Sequence, residues 1–80
     1  MKTPSRAKRF ADAIDQVSNA RGIFEELMEE LQSWRDGLPE NLQSSSKADA
    51  LDEAIQNLET VISSCEEIEG TDVEFPGMFG

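Results

Sequence analysis

The chain has 80 residues and a net charge of −10, from 17 acidic and 7 basic side chains, with no histidine, no tyrosine and one cysteine. Such a length holds one domain at most, and a core of that size supplies only about 3–5 kcal/mol unless something staples it. A single cysteine excludes an internal disulfide, and the lack of histidine or a cysteine cluster excludes a structural zinc, so self-association is the staple left.

The first expected element is a helix over about 4–36. Thr3 is placed to cap it, and Pro4 suits a first helical position, where a missing N–H has no intrahelical partner. Apolar residues recur every seven positions at Phe10, Val17, Phe24, Leu31 and Leu38, with a second seam at Ala13, Ala20, Leu27 and Trp34 and a widening at Ile14 and Met28. A stripe of this width and period is that of a helix packed in a bundle. Gly22 interrupts it, as a tolerated cost or as a point of close helix approach. Gly37 is expected in the left-handed position past the helix end, and Pro39 keeps the helix from resuming.

A connection over about 37–45 follows, with Leu38 and Leu42 expected to fold back over the bundle end. Ser44, Ser45 and Ser46 offer several possible caps, and Ser46, with Asp49 three residues on, gives a weak capping box. The second helix is expected over about 46–69, with Leu51, Leu58 and Cys65 in one line, Ala54, Val61 and Ile68 beside it, Ile55 and Ile62 as flank, and Gly70 as its stop. Residues 71–80 contain Pro76 and two of the glycines and are expected to be irregular. The pattern thus predicts an all-α chain: an antiparallel helical hairpin over 1–70 that dimerises into a four-helix bundle, and a C-terminal tail over 71–80.

Lengths favour the dimer. At 1.5 Å per residue the first helix is about 50 Å long and the second about 35 Å, so the first overhangs by about ten residues and leaves Phe10 and Ile14 to be covered by a second chain or by Phe75, Met78 and Phe79 of the tail. The expected seam consists of Phe10, Ile14, Val17, Phe24, Leu27, Leu31, Leu51, Ile55, Leu58 and Ile62.

No catalytic constellation is visible. There is no histidine base, no glycine-rich phosphate loop and no activating partner for Ser44–Ser46. Glu25, Glu26, Glu29 and Glu30, then Glu66, Glu67 and Glu69, fall outside the apolar seam and read as a solvated acidic face rather than a metal site. No cofactor is expected. Cys65 reads as a small core residue, and Trp34 as a core or end-cap residue, with an exposed hot spot as the alternative.

Charge is uneven. Residues 1–22 carry Lys2, Arg6, Lys8, Arg9 and Arg21 against Asp12 and Asp15, whereas residues 23–80 carry Arg35 and Lys47 against fifteen acids. The acidic body argues against direct nucleic-acid binding, and the basic end is expected to complement acids on a neighbouring helix, with contact to DNA as the alternative. No apolar run approaches a membrane span, the N-terminus does not read as a signal peptide, and the lone thiol fits a reducing compartment, so a cytoplasmic location is expected.

The stretch Leu31-Gln32-Ser33-Trp34-Arg35-Asp36-Gly37-Leu38-Pro39-Glu40-Asn41-Leu42-Gln43-Ser44, followed by Ala50-Leu51-Asp52-Glu53-Ala54-Ile55-Gln56-Asn57-Leu58-Glu59, resembles a group of small acidic uncharacterised helical-hairpin proteins of phages and mobile genetic elements. The likeness spans roughly residues 20–70. It implies no activity and no functional residues, but it points to a small accessory protein that binds a host or phage protein. The expected function is a non-catalytic protein–protein interaction module, itself a homodimer, that meets an unidentified protein through Glu25, Glu26, Glu29 and Glu30 or through Phe75, Met78 and Phe79. The alternatives are an acidic DNA mimic that blocks a nucleic-acid-binding protein, and a structural assembly subunit.

Overall fold

The computed structural model describes residues 5–76. Within them the chain forms helix α1 (Arg6–Asp36), a single 3₁₀ turn (Glu40–Leu42) and helix α2 (Ser46–Glu69), with no strand. The two helices pack against each other as a hairpin, 67 × 23 × 14 Å along its principal axes.

α1 begins two residues later than the sequence suggests. Ser5, in an extended conformation, accepts the Lys8 N–H at 3.1 Å and caps a helix that starts at Arg6. Thr3 and Pro4 lie outside the described residues. The helix closes at Gly37, whose N–H donates to the carbonyls of Ser33 and Trp34 at 3.0 and 3.2 Å. Gly37 does so at φ −87°, so the expected left-handed conformation is not adopted. Glycine still matters there for space: a Cβ would stand 3.3 Å from the Ser33 carbonyl oxygen. At Gly22 a Cβ would meet nothing within 4 Å, so this glycine permits no close approach.

α2 is capped by Ser45 rather than by Ser46. The Ser45 hydroxyl accepts the Ala48 N–H at 3.3 Å and donates to the Leu42 carbonyl at 2.6 Å. One side chain thereby ties the connection to the helix start, which the Ser46–Asp49 box would not do.

The seam between the helices is a strict alternation of steps of three and four. On α1 and just past it the line is Phe10, Ile14, Val17, Arg21, Phe24, Met28, Leu31, Arg35 and Leu38, all half-buried. On α2 it is Ala48, Leu51, Ile55, Leu58, Ile62, Cys65 and Glu69, of which Ala48, Leu51, Ile62 and Cys65 are buried. This is the spacing of a two-helix seam. The first seven-residue line of α1 therefore lies in the interface, as does the Ile14–Met28 line. The second seam does not: Leu27 is 43% and Trp34 49% exposed, against the expected packing of both. Leu42 is also exposed and does not close the bundle end, whereas Leu38 is half-buried.

Candidate interaction surfaces

Two arginines occupy seam positions, and the sequence reading passed over both. Arg21 sits between Val17 and Phe24 on the buried line. Its Nε and Nη2 donate to the two carboxylate oxygens of Glu69, at 2.6 and 3.2 Å, and its Nη1 donates to Glu25 at 2.7 Å. The paired hydrogen bonds from this guanidinium hold the Glu69 carboxyl below its ordinary range and raise Arg21 in turn. Arg35 donates from Nε to Asp52 at 2.9 Å, from Nη2 to the Gln43 backbone carbonyl at 3.3 Å, and from Nη1 to the Gln43 side chain. Gln43 in turn donates to the Leu38 carbonyl at 2.7 Å. The connection is thus tied to both helices through one cation. The signal was present as the line Ile14, Arg21, Met28, Arg35, in which every second member is an arginine.

The two ion pairs Arg21–Glu69 and Arg35–Asp52 fix the register of the hairpin. They put Trp34 level with Ala54, Leu27 with Val61, and Ala20 with Ile68. Because the helices run antiparallel, residues that immediately precede Ile14, Arg21, Met28 and Arg35 on α1 share a flank with those that precede Ala48, Ile55, Ile62 and Glu69 on α2. Lys47 and Trp34 are two such residues, and the Lys47 Nζ stands 5.0 Å from the centre of the Trp34 ring.

The hairpin consequently has two unlike flanks. One carries Ala13, Ala20, Leu27 and Trp34 from α1 and Ala54, Val61 and Ile68 from α2, with Ile23 on its outer edge. Its large side chains are open to solvent, from 38% at Val61 to 57% at Ile23. The opposite flank and its edge carry eight acids: Asp15, Glu25, Glu29, Asp36, Asp49, Asp52, Glu59 and Glu66. An open hollow of about 430 Å³ there is lined by Asp49, Asp52, Glu53, Ile55, Gln56 and Glu59. A second, of about 580 Å³ on the back of α1, is lined by Glu26, Glu29, Glu30 and Ser33. No ion pair among the described residues engages Glu26, Glu29 or Glu30; Glu25 is drawn to Arg21.

At the open end of the hairpin the Phe75 ring stands edge-on to Phe10, with centroids 5.7 Å apart and planes at 60°. Arg6 and Arg9 border the same spot, a hollow of about 380 Å³. The tail therefore covers part of the overhang through Phe75; Met78 and Phe79 lie outside the described residues. Lys8 pairs with Asp12 at 2.6 Å, and this hydrogen bond raises the lysine.

Among the described residues no group of three or more His, Cys, Asp or Glu side chains is arranged to hold a metal ion. No described helix is long and apolar enough to cross a membrane. No protein-family model, curated protein or solved structure matches the chain.

Proposed function

We propose that this protein is a non-catalytic interaction module: a helical hairpin that pairs with a second copy of itself and binds a protein partner through its acidic side. The observation that carries the reading is the division of the surface into flanks. A small chain of net charge −10 keeps Ile23, Leu27, Trp34, Val61 and Ile68 in water on one side while its carboxylates gather on the other. Exposed apolar surface of this extent on a small rigid scaffold is characteristic of a contact surface, and a homodimeric four-helix bundle would give the hairpin the second layer it lacks. A small accessory protein of a phage or mobile element, modulating a host or phage protein, is the setting we propose for it.

The test is capture from a bacterial lysate by the intact protein and by a variant with Glu25, Glu26, Glu29 and Glu30 all changed to Gln. A partner held by the first and lost with the second supports the acidic side as the binding surface. A partner held equally by both refutes it.

A second reading, the DNA mimic, is favoured by one particular observation: Glu26, Glu29 and Glu30 form an exposed carboxylate row along a rigid helix without an ion-pair partner among the described residues. It requires that the captured partner bind duplex DNA, that DNA compete with this protein for it, and that salt weaken the complex steeply.

A further inference from the structure

We propose that the flank bearing Leu27, Trp34, Val61 and Ile68 is the surface on which two copies of this chain meet, face to face about a two-fold axis. The proposal rests on the homodimer reading above and specifies its interface and symmetry.

Charge selects the flank. Two copies that each carry −10 repel one another, so they can approach closely only where carboxylates do not face each other. The apolar flank has one acid, Glu30, at its edge, against eight on the opposite flank. Its remaining charges are cations: Lys47, laid over the Trp34 ring, and Arg6 and Arg9 at the open end.

Shape selects the occupant. In the register set by the ion pairs, the bulky side chains run diagonally across the flank. Trp34 projects from α1 at the loop end, Leu27 and Val61 lie level in the middle, and Ile68 projects from α2 at the open end. The other two corners are small: Ala54 beside Trp34, and Ala20 beside Ile68. Turn a second copy over about a two-fold axis in the plane of this flank. Whether that axis runs along the hairpin or across it, Trp34 and Ile68 of one copy come to lie over the alanines of the other. Large over small at both corners is the self-complementarity an isologous contact needs, and an unrelated partner would have to reproduce it. The flank also has length for such a contact: Ala20 to Trp34 on α1 and Ala54 to Ile68 on α2 each span about 21 Å at 1.5 Å per residue.

The experiment is light scattering on the full chain across micromolar concentrations, with Trp34 emission and far-ultraviolet circular dichroism recorded on the same samples. The wild type is expected at twice 8.9 kDa, with emission shifting to shorter wavelength as the dimer forms. The double variant Leu27→Glu, Val61→Glu changes two exposed positions of the hairpin; it should keep its helix content and weaken the dimer by roughly a hundredfold or more, because it places unpaired charges in the contact. Gln32→Glu with Gln56→Glu, on the opposite flank, should leave the dimer intact. A wild type that stays at 8.9 kDa throughout overturns both this proposal and the homodimer reading. A dimer that survives the Leu27, Val61 variant, or that is lost instead with Gln32 and Gln56, overturns the interface and leaves the homodimer standing. Should the Leu27, Val61 variant lose helix content, Trp34 decides: emission that follows the mass supports the flank, and emission that ignores it overturns it.

Discussion

α1 and α2 share one seam but are covered to different depths. Ala48, Leu51, Ile62 and Cys65, the four buried side chains among the described residues, all lie on α2; α1 has none, although it is longer by 31 residues to 24. α2 is faced along its length by α1 and, at its first turns, by the connection, whereas α1 runs past the end of α2 and carries cations at two of its seam positions. Size matters as well, since the small Ala48 and Cys65 are roofed by a neighbour that cannot itself be roofed by them. A helix with one neighbour buries a line rather than a face, and the longer helix is the one left wanting a second neighbour.

Truncation along the seam probes that difference most strongly. Leu51→Ala, at a site 5% exposed, is expected to cost about 2–5 kcal/mol. Leu31→Ala, at a half-buried site, is expected to cost about 1–2 kcal/mol. Chemical denaturation at low protein concentration measures both. Equal losses would break the comparison and mean that α1 is covered in solution by something besides α2.

The overhang of α1 gives the next effect. Phe75 against Phe10 is the contact by which the tail shields it, and such aromatic pairs add about 0.5–1.5 kcal/mol to the value of their burial. Deleting residues 71–80 should lower the melting temperature by several degrees, and Phe10→Ala should add little in the truncated chain because the two changes remove one contact. Unchanged stability with loss of partner binding would instead make the tail a recognition peptide.

A third change acts within α1 alone. Gly22 lies mid-helix with open space where a Cβ would stand. Gly22→Ala should therefore stabilise the protein by about 0.5–1 kcal/mol. A loss of stability on thermal unfolding would show that another chain packs against this point, which would sharpen the contrast between the covered and uncovered sides of α1.

Period and punctuation made the hairpin legible. The heptads at Phe10 to Leu38 and Leu51 to Cys65, broken by Gly37 and Pro39, suffice for two helices and a turn, because a side chain's place on a helix follows from its number. Which of two parallel apolar lines faces the other helix does not follow from number alone. On α1 both Phe10–Val17–Phe24 and Ala13–Leu27–Trp34 have the right period, and the choice between them depends on the rotation of the whole helix. That rotation is coupled to Arg21 meeting Glu69 and Arg35 meeting Asp52 across 48 and 17 residues of sequence, a long-range pairing that local pattern does not contain. The choice of cap for α2 stayed open for a local reason: adjacent serines at 44–46 each satisfy the capping preference, and only the hydroxyl that also reaches Leu42 is used.

The smallest expected effect belongs to the Arg21–Glu69 pair, and pH is the way to isolate it. Hydrogen bonding to Arg21 lowers Glu69 in the folded protein from its ordinary value of 4.5. A depressed carboxylate contributes stability that is fully present above the unfolded-state value and is lost as pH falls through the lower folded-state value. Between pH 8 and pH 5 this pair should therefore hold. Over the same range the net negative charge of the chain begins to fall as the carboxylate range is approached, so the melting temperature should rise slightly and self-association should strengthen. Below pH 4.5 the trend should reverse. Glu69→Gln separates the two contributions: the variant should melt below the wild type at pH 7, and the gap should close as pH drops beneath 4.5. A gap that stays constant through that range would mean that Glu69 acts by packing rather than by its charge. A melting temperature that falls steadily from pH 8 to pH 5 would mean that the acids of the charged flank are engaged after all.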